Sequence, residues 1–311
     1  MLRASIDIGS NSILLLILDF DAESNYQEIV NESRVTSLGR NLDKTGVFSD
    51  ESLVDSRLAL EQYCEIIKDH KIDPRDVIVT ATEAARVAGN ASVFFSSIQN
   101  ELGFSVSIIS GEGEAYYTAL GVSYDVSSAV SGEQNNIIIM DIGGASTELI
   151  EISKNGEKLD IVRSVSLPVG SVRATDWLLE SESFFEEKLS QILLKEIEAY
   201  KTKKIICVAG TMTSVAAMIK GSKSFNAGEI HNVSFSISAL SNLYNRYSLK
   251  SEEDVLQDYS FLGKRSATIV GGMKAVLRIF DFLSVEDFVI STYGLRYGVL
   301  FDGGIDERFI K

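Results

Sequence analysis

A chain of 311 residues, 45% apolar and 23% charged, reads as a soluble globular protein with room for two domains. Its formal charge of −15 argues against nucleic-acid or membrane binding driven by overall charge, yet permits an anionic ligand in a local cationic site. No apolar run reaches the ~18 residues of a membrane span, and the N-terminus enters a strand pattern at once, so no signal or transit peptide is expected and the location expected is cytoplasmic.

Arg3 to Ile8, Ile13 to Phe20 and Tyr26 to Thr36 predict three successive strands. Ser49-Asp50-Glu51 starts a helix to about Asp69, and Val77 to Val79 is a short buried strand. A second helix follows Gly89-Asn90 and stops at Gly103. Val106 to Ile109 is a strand leading into Ser110-Gly111-Glu112-Gly113-Glu114-Ala115, which opens a helix. The polar stretch 123–136 is the expected boundary between domains 1–125 and 126–311.

The pattern then restarts. Strands are expected at Ile137–Met140, Glu148–Ser153 and Lys158–Ser166. A long helix starts near Ser183, with Ser183 and Glu186 as a capping box and Phe185, Leu189, Ile192, Leu193 and Ile197 inward. Lys204 to Val208 is a strand, Ala209-Gly210-Thr211 opens an apolar helix, and residues 221–232 form a loop. Helices over 237–247 and 266–281, a strand Val285–Ile290 and a last helix complete the chain, that helix packing back on the first domain. Alternating strands and helices imply a mixed, largely parallel sheet covered by helices. The architecture is duplicated with little sequence identity.

What repeats in sequence is the turn. Asp7-Ile8-Gly9-Ser10-Asn11-Ser12 and Asp141-Ile142-Gly143-Gly144-Ala145-Ser146-Thr147-Glu148 each lie between two apolar runs. A tight glycine turn exposes backbone N–H groups that cradle phosphate, and the Asp is placed for a metal or a water. One such turn alone reads as an ordinary hairpin; two in matched settings point to a phosphorylated ligand held between facing halves. Cys64 and Cys207 read as buried reduced thiols. The chain has too few Cys and His for a zinc site, and His70 and His231 lie in a helix end and a loop, so acid–base work falls to carboxylates.

Together with Thr82 to Arg86, Leu167-Pro168-Val169-Gly170, Ala209-Gly210-Thr211 and Ser291 to Val299, these stretches resemble the exopolyphosphatase / guanosine pentaphosphate phosphohydrolase (Ppx/GppA) family in order along the whole chain. The resemblance implies an α/β, duplicated actin/Hsp70/sugar-kinase-like (ribonuclease H-like) fold with an interdomain cleft, in its short two-domain form. It implies Glu114 as the residue that positions or deprotonates the attacking water, and Arg86 facing the phosphate. From residues alone Glu114 is a first-turn helix carboxylate and Arg86 a surface ion pair. Gly9, Ser10, Asn11 and Ser12, with Gly143, Gly144, Ala145, Ser146 and Thr147, become the phosphate cradle. Arg296 and Arg173 are weaker candidates for substrate contact.

Asp141, Glu148 and Asp7 are the implied ligands of Mg²⁺ (or Mn²⁺), which takes one or two carboxylates plus phosphate oxygens. Lys264-Arg265 reads as a solvated helix start, and Gly271-Gly272 as close packing or a weakened helix. The sequence departs from the family where many relatives have a Glu pair before the Ala: here the first is Gly113. The implied activity is release of terminal orthophosphate from inorganic polyphosphate, with guanosine pentaphosphate hydrolysis as the close alternative. A nucleotide-dependent kinase of the same superfold and a non-catalytic phosphate or alarmone sensor are further readings. Neither nucleic acid nor membrane is an expected partner; a homodimer is common in the family.

Overall fold

Short connections make the chain open as a meander. Strands β1 (Leu2–Ile8), β2 (Ser12–Phe20) and β3 (Tyr26–Val35) pair antiparallel in the computed structural model, as hairpin-length links require. Helices α1 (Leu42–Thr45) and α2 (Asp50–Asp69) follow. Strand β4 (Ile78–Ala81) then returns parallel to β1, and after α3 (Glu83–Val87) and α4 (Ala91–Leu102), β5 (Val106–Ile108) lies parallel to β4. Helix α5 (Gly111–Ser123) comes next. The sheet order is β3-β2-β1-β4-β5.

The same plan recurs. It runs β6 (Asn136–Ile142), β7 (Thr147–Asn155), β8 (Lys158–Leu167), α6 (Ser171–Glu180), α7 (Glu182–Ile192), β9 (Lys204–Val208), α8 (Ala209–Ile219) and α9 (Ala227–Ile230). Then come β10 (Ser234–Ser236), α10 (Ile237–Tyr247), α11 (Glu252–Asp258), α12 (Ser266–Leu283), β11 (Asp287–Ile290) and α13 (Leu295–Asp302). The second sheet is ordered β10-β11-β9-β6-β7-β8, so β8-β7-β6-β9-β11 repeats the first sheet and β10 is an added edge. Even the bulge recurs: pairing shifts between Ile17 and Leu18 in β2 and between Glu151 and Ile152 in β7, ten residues after the respective Asp.

The structure describes residues 1–23, 25–124, 136–155, 158–193 and 195–311. They form two units, Met1–Gly121 with Leu295–Lys311, and Val122–Gly294. Residues 295–311, which the sequence assigned to the second domain, are thus counted with the first. The expected boundary at 125/126 falls at residues outside those described.

Alternation decides which residues face the first core. Ala4, Ile6 and Ile8 pack with Leu60, Tyr63 and Ile67 of α2 and Ile98 of α4. Ser5 and Asp7 therefore point to the opposite face, where Ser5 Oγ donates to the Arg296 carbonyl of α13 at 3.1 Å. In the second unit Ile138, Met140, Ile142 and Leu149 enter the core beside Cys207, Met212 and Ile279. Asp141 and Glu148 point away from it.

Some expectations need correction. The sheets are mixed but not largely parallel, because each begins as a meander. The helix expected from Ser183 begins at Glu182, and its cap is Ser181, whose Oγ accepts from the Phe184 N–H at 3.0 Å. It ends at Ile192; Ile197 is buried from a separate 3₁₀ turn, Lys195–Tyr200. A capping box forms instead at α11, between Ser251 and Asp254. Cys64 and Cys207 are buried and unbridged, and burial pushes the Cys207 thiol well up. Among the described residues no helix is long and apolar enough to cross a membrane.

Candidate active site

In the first unit the glycine turn closes on itself: the Gly9 N–H donates to Ser12 O at 3.0 Å. Its carbonyls are taken from behind. Ser10 O accepts from Gly39 N–H at 2.7 Å, and Asn11 O accepts from Thr36 and Ser37 N–H at 3.0 Å each. Gly39 is needed there, since a Cβ would meet Ser10 Cβ at 2.9 Å. With the carbonyls spent, the Ser10 and Asn11 N–H groups are the donors the turn offers to an anion. Asn11 Oδ1 is buried with no hydrogen-bond partner among the described residues. Turning that amide over would present its NH₂ to a phosphate.

Beside this turn, β4 carries Thr80, whose Oγ1 donates to Asp7 Oδ1 at 3.3 Å. The chain then enters α3, which brings Arg86 against Glu114 of α5: Nη1 lies 2.5 Å from Glu114 Oε2, with the two side chains 8% and 10% exposed. Arg86 is fixed by further acceptors, Ile109 O at 2.6 Å from Nη1 and Glu83 Oε2 at 2.8 Å from Nη2. Burial works against its charge, but Glu114 and Glu83 outweigh burial and hold the guanidinium above its ordinary range. A carboxylate and a guanidinium are thus held together in one buried pair, the two group types that phosphoryl transfer to water uses.

Arg296 is placed otherwise. Its Nη1 donates to Leu15 O at 2.7 Å and Asn31 Oδ1 at 3.0 Å, tying α13 to β2 and β3. Burial lowers its pKa. In the structure Arg296 is thus a tie between α13 and the sheet of the first unit.

The second unit repeats the turn. Gly143 N–H donates to Ser146 O at 3.0 Å. Here α6 seals it: Ser171 N–H donates to Gly143 O at 2.9 Å, Val172 N–H to Gly144 O at 2.8 Å, and Arg173 Nη1 to Ala145 O at 2.6 Å. Gly170 permits the approach, because a Cβ would meet the Gly144 carbonyl carbon at 2.5 Å. Thr147 Oγ1 donates to Val169 O at 2.5 Å. Arg173, a weak substrate candidate in the sequence, braces the turn.

Asp141 and Glu148 are direct cross-strand partners on β6 and β7. Glu148 is 4% exposed, and its Oε1 accepts from Ser166 Oγ at 2.8 Å. Two carboxylates placed opposite each other repel; a divalent cation would remove that cost. No three Asp, Glu, His or Cys side chains converge into a metal cage among the described residues. Mg²⁺ does not need one, since phosphate oxygens and water complete its shell.

One residue was misread. Lys264 is exposed, but Arg265 is half-buried over the Ala209-Gly210-Thr211 turn, where it donates from Nη1 to Ser214 Oγ at 3.0 Å. A Cβ on Gly210 would lie 2.6 Å from its Nη2. Burial pushes its pKa down to about 10. No local pattern marks it, because its partner is 51 residues away in sequence.

Residues 16–304 match the model of the Ppx/GppA phosphatase family. The bifunctional 3-dehydroquinate synthase/phosphatase of Fusobacterium nucleatum is 29% identical over 97% of this chain and 46% of its own length. Exopolyphosphatase 2 of Mycobacterium tuberculosis is 30% identical over 73% of this chain and 74% of its own. The guanosine-5'-triphosphate,3'-diphosphate pyrophosphatase of Pseudoalteromonas atlantica is 30% identical over 96% of this chain and 58% of its own. The chain thus spans about half the length of the first of these relatives. A solved exopolyphosphatase-like protein superposes with a TM-score of 0.85 at 27% identity, covering 97% of each chain. The Aquifex aeolicus family member does so with 0.74 at 26% identity, again over 97% of each. On the match of the family model and the solved folds, the chain belongs to the Ppx/GppA phosphatase family.

Proposed function

We propose that the chain is a Mg²⁺-dependent exopolyphosphatase that releases terminal orthophosphate from inorganic polyphosphate by attack of a water positioned by Glu114. The observation that carries this reading is the buried Glu114–Arg86 pair. The water oxygen bonds to the terminal phosphorus, the bridging P–O bond breaks toward the remaining chain, and the water's proton passes to Glu114. Arg86 holds phosphoryl oxygens through its fork. In each unit, backbone N–H groups of the glycine turn (Gly9–Ser12, Gly143–Thr147), other than the Gly9 and Gly143 N–H groups that close the turns, hold phosphate oxygens with donors that need no reorganisation. Asp141 and Glu148 would hold Mg²⁺ (or Mn²⁺). Bound there, the ion would neutralise phosphoryl charge.

Hydrolysis of the 5'-terminal phosphate of guanosine pentaphosphate is the second reading. It is favoured by the Pseudoalteromonas atlantica relative, which matches at the same 30% as the mycobacterial one. The test is phosphate release, with Mg²⁺, from long polyphosphate, short polyphosphate, guanosine pentaphosphate and ATP offered separately. Fastest release from polyphosphate is expected. Release from guanosine pentaphosphate alone would move the assignment to the second reading, and release from none would remove both.

A further inference from the structure

The residue that departs from the family pattern, Gly113, lies under the C-terminal segment. In a capping box, the N-cap Ser accepts from the N–H of the third helical residue, and that residue's Glu or Gln accepts from the cap's own N–H. Ser110 makes the first half at the start of α5, its Oγ accepting from Gly113 N–H at 3.2 Å. Gly113 has no side chain for the second half. The Ser110 N–H goes instead to Phe309 O at 2.8 Å.

Phe309 reaches that point because the segment is itself tied down. Lys311 N–H donates to Ile108 O at 2.9 Å, and Ile310 forms an antiparallel bridge with Ile109. Asp306 N–H donates to Tyr117 Oη at 2.8 Å. Phe309 is 7% exposed, and its ring centre lies 5.2 Å from that of Tyr116 and 5.7 Å from that of Tyr117 on α5. It fills the space a side chain at 113 would enter: a Cβ there would be 2.8 Å from Phe309 Cβ and 3.1 Å from Cγ. The stretch it clamps, Ile109-Ser110, also carries the carbonyl that holds Arg86, and Ser110 O accepts from Glu114 N–H at 3.0 Å.

We propose that Phe309 is a positioning residue for Glu114: with its backbone carbonyl it supplies the missing half of the α5 cap, and with its ring it fixes the first turn of that helix. This rests on Glu114 acting as described above. Gly113 is then the counterpart of Phe309 rather than a lost ligand.

The test is a double-mutant cycle in the full chain with Phe309→Gly, Gly113→Gln and both. Phe309→Gly removes the ring; Gly113→Gln restores a capping-box side chain that the ring excludes. Each single variant is expected to lose roughly ten- to a hundredfold in kcat, as small misplacements of reacting groups do, with KM within about twofold. In the double variant the introduced amide oxygen has room to accept from the Ser110 N–H in place of the 309 carbonyl, whose segment has lost its ring anchor, and kcat is expected to recover to within roughly threefold of the parent value. Amide hydrogen exchange at 110–114 is read in parallel and should speed up in the singles and slow again in the double. A single variant with kcat near the parent value, or losses that simply multiply in the double, would overturn the proposal. Should Phe309→Gly not fold, a folded double variant supports the pairing, and if neither folds the kcat of Gly113→Gln decides. Should the parent release no phosphate from any substrate, the functional reading fails; exchange then decides the positioning alone, and unchanged protection at Ser110 rejects it.

Discussion

The two glycine turns have one backbone and different seals. Each follows Asp-Ile, each closes with a Gly N–H to a carbonyl three residues on at 3.0 Å, and each precedes a bulge at the same offset. Behind the first turn lies a loop, whose Thr36, Ser37 and Gly39 amides take the carbonyls. Behind the second lies the start of α6, whose otherwise orphaned N–H groups do so. The charge differs as well: Asp7 is opposite Leu14 across β1 and β2, whereas Asp141 is opposite Glu148 across β6 and β7. The turn is therefore a property of the duplicated backbone, while the carboxylate pair is set by one side chain across the strand pair. The units differ further in the buried Arg86–Glu114 pair, which belongs to the first unit and to which the proposed catalysis is assigned.

That asymmetry is disrupted most directly at Glu114. Glu114→Gln should lower turnover by roughly 10²- to 10⁴-fold, the range for losing a positioned base. Substrate affinity in an equilibrium binding assay should be preserved, and near-normal phosphate release would take Glu114 out of its role. Arg86→Ala comes next. It strips the cation from Glu114 and Glu83, and breaking a buried pair costs about 3–5 kcal/mol. Urea unfolding should show that loss, and a change below about 1 kcal/mol, the value of exposed pairs, would mean the pair is not buried in solution.

The seals can be compared through their glycines. Gly170→Ala pushes a methyl into the Gly144 backbone, whereas Gly39→Ala meets a side-chain carbon. Overpacking costs typically ~1–3 kcal/mol; the first variant, with the closer clash, should lie at or above the top of that range and the second within it. Equal losses on unfolding would erase the difference between the helix-sealed and loop-sealed turns. The mildest consequence is expected at the carboxylate pair. Asp141→Asn removes a like-charge repulsion of ~0.2–1 kcal/mol, so without divalent ions its melting temperature should equal or slightly exceed the parent's. Added Mg²⁺ should raise the parent's melting temperature and leave the variant's nearly unmoved. An identical Mg²⁺ response in both would remove Asp141 from the metal proposal.

Much of the scaffold was readable because it is local. The apolar runs on either side of each turn marked β1, β2, β6 and β7, and the repeated Asp-Ile-Gly marked both turns. What misled were features with distant causes. Ser181 and Ser183 both suit a cap, and only the hydrogen bond to Phe184 N–H distinguishes them. Arg296 is tied to Leu15 and Asn31, 281 and 265 residues away, by contacts that no local pattern marks. Arg265 looked solvated, but it covers Gly210.

Strand periods, the duplicated plan and the glycine positions are legible along the chain, because they depend on backbone sterics and on neighbours a few residues apart. Which charged side chains are committed, and which face a ligand, emerges from the folded arrangement alone. So does the assignment of the space at Gly113 to Phe309, since the bond between Ser110 and Phe309 joins points that no local pattern relates. Burial and pairing are properties of what the rest of the chain brings alongside a residue, and they exist only once the sheets and helices have closed around it.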